Sequence, residues 1–184
     1  MKTLEKKVVV ELSTDKKVYV INGSGGVGKD TFVKFVLEHL NFRGVNISSI
    51  EPVKRLALRM GWRGEKTEKD RKFLSDLKDL CTNYNDFSMQ YLREQCEPFL
   101  KDEIYKGCKV MFIHIREPQE IQKAVDEFGA KTILVVNPNV EQVVSNHADA
   151  EVFNYSYDTI IENNGSLEKL KDSAKTFCEL EELI

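Results

Sequence analysis

The stretch from residue 18 to residue 40 limits most strongly what this chain can fold into. Its first segment, VYVI at 18–21, is apolar or aromatic, and the glycine-rich turn GSGGVGK follows at 23–29. Apolar side chains then recur at helical spacing at Phe32, Val36 and Leu40. We therefore predict a buried strand, a tight glycine turn and an amphipathic helix, in that order.

The rest of the chain repeats this alternation of strand-like and helix-like segments. Short apolar segments predict further strands at 45–50, 109–115, 132–136 and 159–161. The inner strands are apolar throughout, which is typical of a parallel sheet that is buried on both faces. We predict an α/β fold of three layers, in which helices cover both faces of a mostly parallel sheet. In such sheets, ligands bind beyond the carboxyl ends of the strands.

Two further segments add to this arrangement. The β-branched residues at 8–12 are joined to the first strand by a polar turn, which predicts an N-terminal hairpin or an extra edge strand. Thr67 and Asp70 form a weak capping-box pattern, which predicts the start of a helix. The apolar residues that follow, including Leu77 and Leu80, are predicted to form the buried face of that helix.

Composition and charge argue against several classes of protein. The 184 residues carry a net charge of −3, so no field of the whole molecule attracts nucleic acid. No apolar segment approaches the length of a membrane span. The four cysteines have neither C-x-x-C nor metal-site spacing, which favours reduced thiols. We expect a cytoplasmic protein, a monomer or homodimer, that binds neither nucleic acid nor membranes.

The turn at 23–29 satisfies the pattern G-x-x-x-x-G-K, and we call it the phosphate loop. Glycines allow the backbone to curl so that several N–H groups point at one anion. The positive end of the following helix adds to this attraction, and Lys29 supplies a point charge. We predict that the loop binds the phosphates of a nucleotide. A plain glycine-rich turn between a strand and a helix is the alternative.

The residue after this lysine departs from the usual pattern. Asp30 stands where a serine or threonine commonly contacts magnesium, and a hydroxyl follows one position later, at Thr31. A carboxylate is favourable at the start of a helix, but phosphate repels it unless a cation lies between them. We interpret Asp30 as a residue that faces magnesium or the acceptor. A carboxylate that faces solvent or pairs with a lysine is the alternative.

Several short segments follow one another in the order of a known family. They are GKDT at 28–31, IEPVKR at 50–55, GWRG at 61–64 with Lys66, Arg71 and Leu74, FIHIREPQE at 112–120, and YDTIIENNG at 157–165. Together they resemble the deoxynucleoside monophosphate kinases of phages and bacteria and, more distantly, animal-type phosphomevalonate kinase. The set is more specific for this superfamily of P-loop kinases than for any one substrate.

The resemblance implies an activity and an organisation of the chain. The activity is ATP-dependent phosphoryl transfer to a (deoxy)nucleoside monophosphate, which gives the diphosphate. ATP and Mg²⁺ would be the cofactors, and small nucleotides would be the partners. Residues 1–184 would form a single P-loop kinase domain, with an acceptor-binding insertion at about 52–106 and a lid-like loop at about 137–157.

The resemblance also implies a set of site residues. The residues expected to bind ATP are Gly23, Ser24, Gly25, Gly26, Val27, Gly28, Lys29, Asp30, Thr31 and Asn163. Those expected to bind the acceptor are Glu51, Lys54, Arg55, Arg71 and Arg116. Catalytic roles are expected for Lys29, Asp30, Glu51 and Arg116, and contact with magnesium for Asp30 and Thr31. Arginine suits these roles because its planar fork meets two phosphate oxygens at once.

Some of these residues have a simpler structural explanation. Lys54 and Arg55 also fit the solvent-exposed face of a helix. For Glu51 the alternative is a carboxylate on the protein surface. For Arg116 the alternative is an ion pair with Glu117 or Glu120. Both explanations stay open on the sequence.

Two features depart from the family pattern. His114 stands where the family has an aspartate that would help to hold magnesium through water. The predicted lid at 137–157 contains no lysine or arginine, although kinases of this type often use lid arginines to stabilise the transferring group. Two alternatives therefore stay open: a P-loop kinase for another phosphorylated small molecule, and a nucleotide-binding module that does not transfer phosphate.

Overall fold

A parallel sheet forms the centre of the computed structural model, which describes residues 15–140 and 152–184. Its five strands are β1 (Lys17–Asn22), β2 (Gly44–Ser48), β3 (Val110–His114), β4 (Lys131–Val136) and β5 (Thr159–Glu162). The strand order is β2-β3-β1-β4-β5, and every adjacent pair is parallel. The predicted α/β fold with a mostly parallel sheet is confirmed. The hairpin predicted at 8–12 lies outside the described residues.

Helices cover both faces of this sheet. They are α1 (Lys29–His39), α2 (Glu51–Arg59), α3 (Glu68–Asn85), α4 (Phe87–Leu100), α5 (Pro118–Phe128) and α6 (Leu167–Leu180). Phe32 of α1 and Phe177 of α6 belong to the core on one face. Met89 of α4 and Ile121 of α5 belong to the core on the other face. The three-layer arrangement is therefore confirmed.

Strand β1 contributes to both cores because its side chains alternate between the two faces. Tyr19 and Ile21 pack with α1 and α6, whereas Val18 and Val20 pack with α4 and α5. The Tyr19 ring lies 5.2 Å from the ring of Phe177, centroid to centroid, in an edge-to-face arrangement. Burial on both faces explains why this strand is apolar throughout and why the loop that follows it starts from a rigid support.

The carboxyl ends of the strands meet at one edge of the sheet. In the register of the sheet, Ile21 of β1 pairs with His114 of β3 on one side and with Ile133 of β4 on the other. His114 also pairs with Ser48 at the end of β2. His114 therefore stands between the start of the phosphate loop and the end of β2, where a parallel sheet is expected to bind its ligand.

The long connection between β2 and β3 forms α2, α3 and α4. The capping box at the start of α3 is confirmed, since Asp70 N donates to Thr67 Oγ1 at 3.2 Å and Thr67 N donates to Asp70 Oδ2 at 3.2 Å. The predicted buried face of α3 is wrong in part. Leu80 is 66% exposed, whereas Lys78 is 6% exposed. Lys78 tolerates burial because its ammonium group forms ion pairs with Glu117 and Glu120 at the start of α5.

Two further expectations concern membranes and thiols. Across residues 15–140 and 152–184, no helix is both long enough and apolar enough to cross a membrane. The four cysteines all lie in these ranges and form no disulfide, and two of them, Cys96 and Cys178, are buried. The other two, Cys81 and Cys108, are partly buried, and the reduced state of the thiols stays a prediction.

We expect Asp158→Ala to lower the free energy of unfolding by about 1–3 kcal/mol, because it leaves a buried donor without its acceptor. Asp158 Oδ2 accepts from Thr132 N and from Thr132 Oγ1, both at 2.8 Å, and so ties the start of β5 to β4. Urea unfolding measures the change. The control is Asp172→Ala on the exposed side of α6, which should change stability by less than about 0.5 kcal/mol. Equal stability of the two variants would contradict this assignment.

Candidate phosphate-binding site

The phosphate loop has positive φ at three glycines, Gly23, Gly26 and Gly28, and at the first and last of them neighbouring groups also lie close. Gly23 has a φ of +144°, and a Cβ placed there would lie 2.3 Å from Val135 O. Gly28, the residue before α1, has a φ of +99°, and a Cβ placed there would lie 2.5 Å from Asn163 Nδ2. Both glycines are therefore required by φ and by the close approach of neighbouring groups. The loop sits tightly against the ends of β4 and β5.

Two asparagines hold the loop in this path. Asn22 is fully buried, and its Oδ1 accepts from Gly23 N at 2.8 Å. Asn163 Nδ2 donates to Val27 O at 2.9 Å, and Asn163 N donates to Val136 O at 2.8 Å. The amide of Asn163, predicted from the resemblance to lie near the base of ATP, thus supports the loop from beneath the start of α1. Whether it also contacts a base stays a prediction.

Lys29 is the first residue of α1, and its ammonium group lies against the loop. Lys29 Nζ donates to Gly23 O at 2.6 Å and to Ser24 O at 2.8 Å. The first N–H groups of α1 have no partner within the helix, and the Gly28 that precedes them has no side chain to cap them. A helix start of this kind, with a cation beside it, is favourable for an anion.

Asp30 and His114 face each other beside the loop. The Asp30 side chain is 90% exposed, and its Oδ1 lies 3.6 Å from His114 Nε2. The same Nε2 lies 2.9 Å from Asn46 Oδ1 of β2. Because a carbonyl oxygen only accepts, Nε2 carries the proton in this contact. The Asp30 carboxylate is therefore open to solvent on the side away from His114, so the expected contact with a cation is sterically feasible.

The pKa of His114 depends on burial and on the charged side chains around it. Burial and the positive charges of Lys29, Arg116 and Lys54 lower the pKa of His114 to about 4, against the opposite effect of Asp30. The imidazole is therefore neutral at pH 7. Four of the predicted site residues, from three separate segments of the sequence, thus influence the pKa of His114 at the carboxyl edge of the sheet.

The remaining predicted acceptor residues lie on α2 and α3. Glu51 is the first residue of α2, and its Oε1 lies 3.6 Å from Arg55 Nε. The Arg55 guanidinium also lies 5.7 Å from the centre of the Tyr91 ring. Arg71 is an exposed residue of α3, and its Nε donates to Lys66 O at 3.2 Å. The roles of Glu51, Arg55 and Arg71 toward an acceptor stay predictions.

Two acidic residues beside Arg116 have a partner in another helix. Glu117 precedes α5 and Glu120 lies in its first turn. Both carboxylates form ion pairs with the ammonium group of Lys78 from α3. Lys78 was missed from the sequence, because a lysine between apolar positions of a helix ordinarily points to solvent. Asn22 was missed as well, although a single amide between an apolar strand and a glycine turn is a usable signal.

A pocket of about 200 Å³ lies on the other flank of the phosphate loop, toward β4. Its lining is mostly apolar, with Val27 from the loop, Val136 at the end of β4, Pro138 after it, and Phe153. Ser24, Asn137 and Glu162 contribute polar groups. The loop therefore has a polar side with His114 and an apolar side with this pocket.

The predicted lid-like loop falls only partly within the described residues. Residues 141–151 lie outside them, so the lid stays a prediction. The segment that leads into β5 is anchored near the site, since Asn22 Nδ2 donates to Tyr157 Oη at 2.8 Å. Tyr157 Oη in turn donates to Val152 O at 2.7 Å. The end of the predicted lid is thus tied to the residue that begins the phosphate loop.

Comparison with known proteins shows the fold. Shikimate kinase from Aquifex aeolicus superposes with a TM-score of 0.50 and 11% identity, over 91% of this chain and 98% of that chain. An uncharacterized protein from Eubacterium ventriosum gives 0.45 and 14%, over 89% and 98% of the two chains. FlhF in complex with GMPPNP and Mg²⁺ gives 0.36 and 14%, over 88% and 62%. No protein-family model and no curated protein sequence matches the chain.

Of these likenesses, only that with shikimate kinase is strong enough to use, and at this identity it concerns the fold alone. The superposition extends over nearly the whole length of both chains. The chain therefore has the three-layer fold of the P-loop kinases.

We expect acid to destabilise the wild-type protein more than a His114→Asn variant. The pKa of His114 is about 4 in the folded state and 6.5 for an ordinary histidine, so the unfolded state binds the proton first as the pH falls. From pH 7.5 to pH 5 this histidine should remove about 2 kcal/mol of stability, and the variant should be spared that loss. Urea unfolding without nucleotide or metal measures both. Parallel pH profiles would contradict the assigned environment of His114.

Proposed function

We propose that this protein is a nucleoside monophosphate kinase-like enzyme, which transfers the γ-phosphoryl group of ATP to the phosphate of a (deoxy)nucleoside monophosphate. One observation carries the proposal: buried Asn22 holds the backbone of Arg116 beside the phosphate loop, on which the ammonium group of Lys29 lies. Both substrates carry phosphates, and transfer between them requires positioned cations more than covalent chemistry. The short segments shared with deoxynucleoside monophosphate kinases support this acceptor.

The donor side fits a nucleotide triphosphate. The N–H groups of the loop and of the first turn of α1 would hold the phosphates of ATP. Lys29 Nζ, which now lies on the carbonyls of Gly23 and Ser24, would contact the β and γ phosphates. The apolar pocket beside Val27 offers room on the far side of the loop.

The residues present also fit Mg²⁺. This ion prefers oxygen ligands, and it commonly binds through one or two carboxylates together with phosphates. Asp30, which is largely exposed, and Thr31, one position later in α1, supply a carboxylate and a hydroxyl. When bound, Mg²⁺ would neutralise charge on the transferring phosphates. His114, neutral at pH 7, would lie beside Asp30 and would not supply the negative charge toward the ion that an aspartate supplies.

The acceptor side is assigned to α2, α3 and the residues after β3. Arg116 would draw the acceptor phosphate into line with the transferring group, with Lys54 beside it. Arg55 and Arg71 would add positive charge farther along the acceptor, and Glu51 would accept a hydrogen bond from it. The helices of the long connection between β2 and β3 would exclude the water that otherwise hydrolyses ATP.

A second candidate function is a module that binds nucleotide without transferring phosphate. His114 favours it, because a neutral imidazole stands at the end of β3 in place of an acid that would help to hold magnesium. A P-loop kinase for another phosphorylated small molecule is a third candidate.

An assay of ADP release with ATP and Mg²⁺ separates the candidates. The acceptor panel contains ribonucleoside and deoxyribonucleoside monophosphates of each common base, a phosphorylated isoprenoid and shikimate, the substrate named in the neighbouring structure. We expect one or a few nucleoside monophosphates to stimulate ADP release, and Lys29→Ala to abolish it. Stimulation only by a non-nucleotide acceptor supports the third candidate. ATP binding with no stimulation by any acceptor supports the binding module.

We expect Asp30→Asn to lower the rate of transfer by about 10²-fold, because it removes the carboxylate assigned to Mg²⁺ but keeps the shape of the side chain. The Mg²⁺ concentration for half-maximal rate should rise, and binding of metal-free ATP should be retained or tighter, since one negative charge near the phosphates is lost. Magnesium titrations of the rate and calorimetry of ATP binding measure these effects.

Asp30→Ser is the matched variant, because it restores the commoner hydroxyl at this position. It should recover part of the rate. An unchanged rate and magnesium dependence in Asp30→Asn would make Asp30 only a carboxylate at the helix start, and Glu51 would become the candidate for the metal.

A further inference from the structure

A buried cluster of three charged side chains lies outside the proposed reacting centre. Lys78 of α3 is 6% exposed and Glu120 of α5 is 5% exposed. Lys78 Nζ donates to Glu120 Oε2 at 2.8 Å and also contacts Glu117 Oε2. The cluster therefore joins the middle of α3 to the first turn of α5.

This cluster is costly to bury. Taking three charges out of water requires several kcal/mol for each ion, and replacing such a cluster as a whole by well-packed apolar side chains often gives equal or greater stability. Burial favours the neutral forms of both acids. The ammonium of Lys78 nevertheless holds the pKa of Glu117 below its ordinary value, whereas burial and the charge of Glu117 raise the pKa of Glu120. Glu117 is thus the carboxylate that Lys78 keeps ionised.

The position of Glu117 gives the cluster a use. Glu117 directly follows Arg116, whose carbonyl accepts from Asn22 Nδ2 at 3.1 Å. Asn22 also accepts from Gly23 N, at the start of the phosphate loop. Asn22, which precedes the loop, therefore holds the backbone carbonyl of Arg116. Lys78 holds the side chain of the next residue, Glu117.

We propose that Lys78 is a positioning residue, which fixes Arg116 toward the phosphate loop by holding Glu117. Lys78 acts through the chain and touches neither nucleotide. Since α3 belongs to the expected acceptor-binding insertion, the contact also couples that insertion to the arginine expected to meet the acceptor phosphate. This inference rests on the proposed function only for its kinetic consequence, because the contact of Lys78 with Glu117, next to Arg116, is present whatever the acceptor is.

The kinetic test is a double-mutant cycle of Lys78→Met and Arg116→Ala. Lys78→Met should lower kcat/KM for the acceptor by about 10- to 100-fold, the size of effect that a small misplacement of a binding group produces. The Kd for ATP should change by less than about 2-fold. In the Arg116→Ala background, Lys78→Met should have almost no further effect on kcat/KM, because the group it positions is gone. Additive effects would overturn the proposal.

A companion variant separates positioning from simple stability. Lys78→Met leaves two buried acids without their cation, so it is also combined with Glu117→Gln and Glu120→Gln, which removes the buried charges at nearly constant shape. The triple variant should regain stability in urea but not the rate. Lys78→Arg, which keeps the charge, should regain part of the rate. A triple variant with the full wild-type rate would overturn the proposal.

A spectroscopic measurement keeps the test independent of activity. In protein labelled with ¹⁵N-arginine, the Nε–Hε signal of Arg116 is assigned by its loss in Arg116→Lys. We expect Lys78→Met to shift or broaden this signal. The matched control is Lys123→Met: Lys123 also reaches from α5 to the end of α3, where it contacts Asp86 at 2.9 Å, but it lies farther from Arg116 along α5. It should leave the signal unchanged.

The two readouts distinguish the possible failures. A wild-type protein that turns over no acceptor, but whose Arg116 signal responds to Lys78→Met and not to Lys123→Met, contradicts the proposed function and supports the positioning role. An Arg116 signal that is the same in wild type and Lys78→Met overturns the positioning role, whatever the activity.

Discussion

The buried amide of Asn22 is the contact on which the candidate site depends. Its Oδ1 accepts from Gly23 N, and its Nδ2 donates to Arg116 O and to Tyr157 Oη. One fully buried side chain thus joins the start of the phosphate loop, the residues after β3 and the segment that leads into β5. A buried amide without hydrogen-bond partners costs free energy. This cost disfavours any arrangement in which one of the three segments moves away from Asn22.

The electrostatics of the site follow from this arrangement. Cations from the loop, from α2 and from the end of β3 converge on His114, and burial keeps its imidazole neutral. A neutral side chain at the end of β3 leaves the positive field of Lys29, Lys54 and Arg116 without an opposing acid from that strand. Asp30 supplies the acidic side chain that faces His114 at this edge of the sheet, and its role toward phosphate and metal stays a prediction.

The sequence was sufficient for those parts of the fold that local pattern determines. The strand, glycine turn and helix from residue 18 to residue 40 follow from periodicity and from the spacing of the glycines, and Thr67 with Asp70 marks the start of α3. Apolar strands without alternation predicted the parallel sheet and both helical layers. These features are encoded within a few residues of one another.

The parts that the sequence did not show depend on contacts between distant segments. Lys78 is 39 positions from Glu117, and nothing near Lys78 in the sequence distinguishes it from an exposed lysine. The burial of Lys78 depends on its ion pairs with Glu117 and Glu120, which no helical periodicity within α3 can reveal. The pKa of His114 likewise depends on charges from three segments, so the sequence located this residue but not its environment.

Titration of the protein with ATP and Mg²⁺ by isothermal calorimetry tests the central claim most directly, namely that the loop at 23–29 is a working phosphate site. We expect saturable one-site binding to the wild type, and binding at least about 10-fold weaker to Lys29→Ala, because a charge-assisted contact contributes about 1.5–3 kcal/mol. Lys175→Ala, on the exposed side of α6, should bind as the wild type does. Absence of saturable binding to the wild type, or equal affinity in Lys29→Ala, would contradict the account.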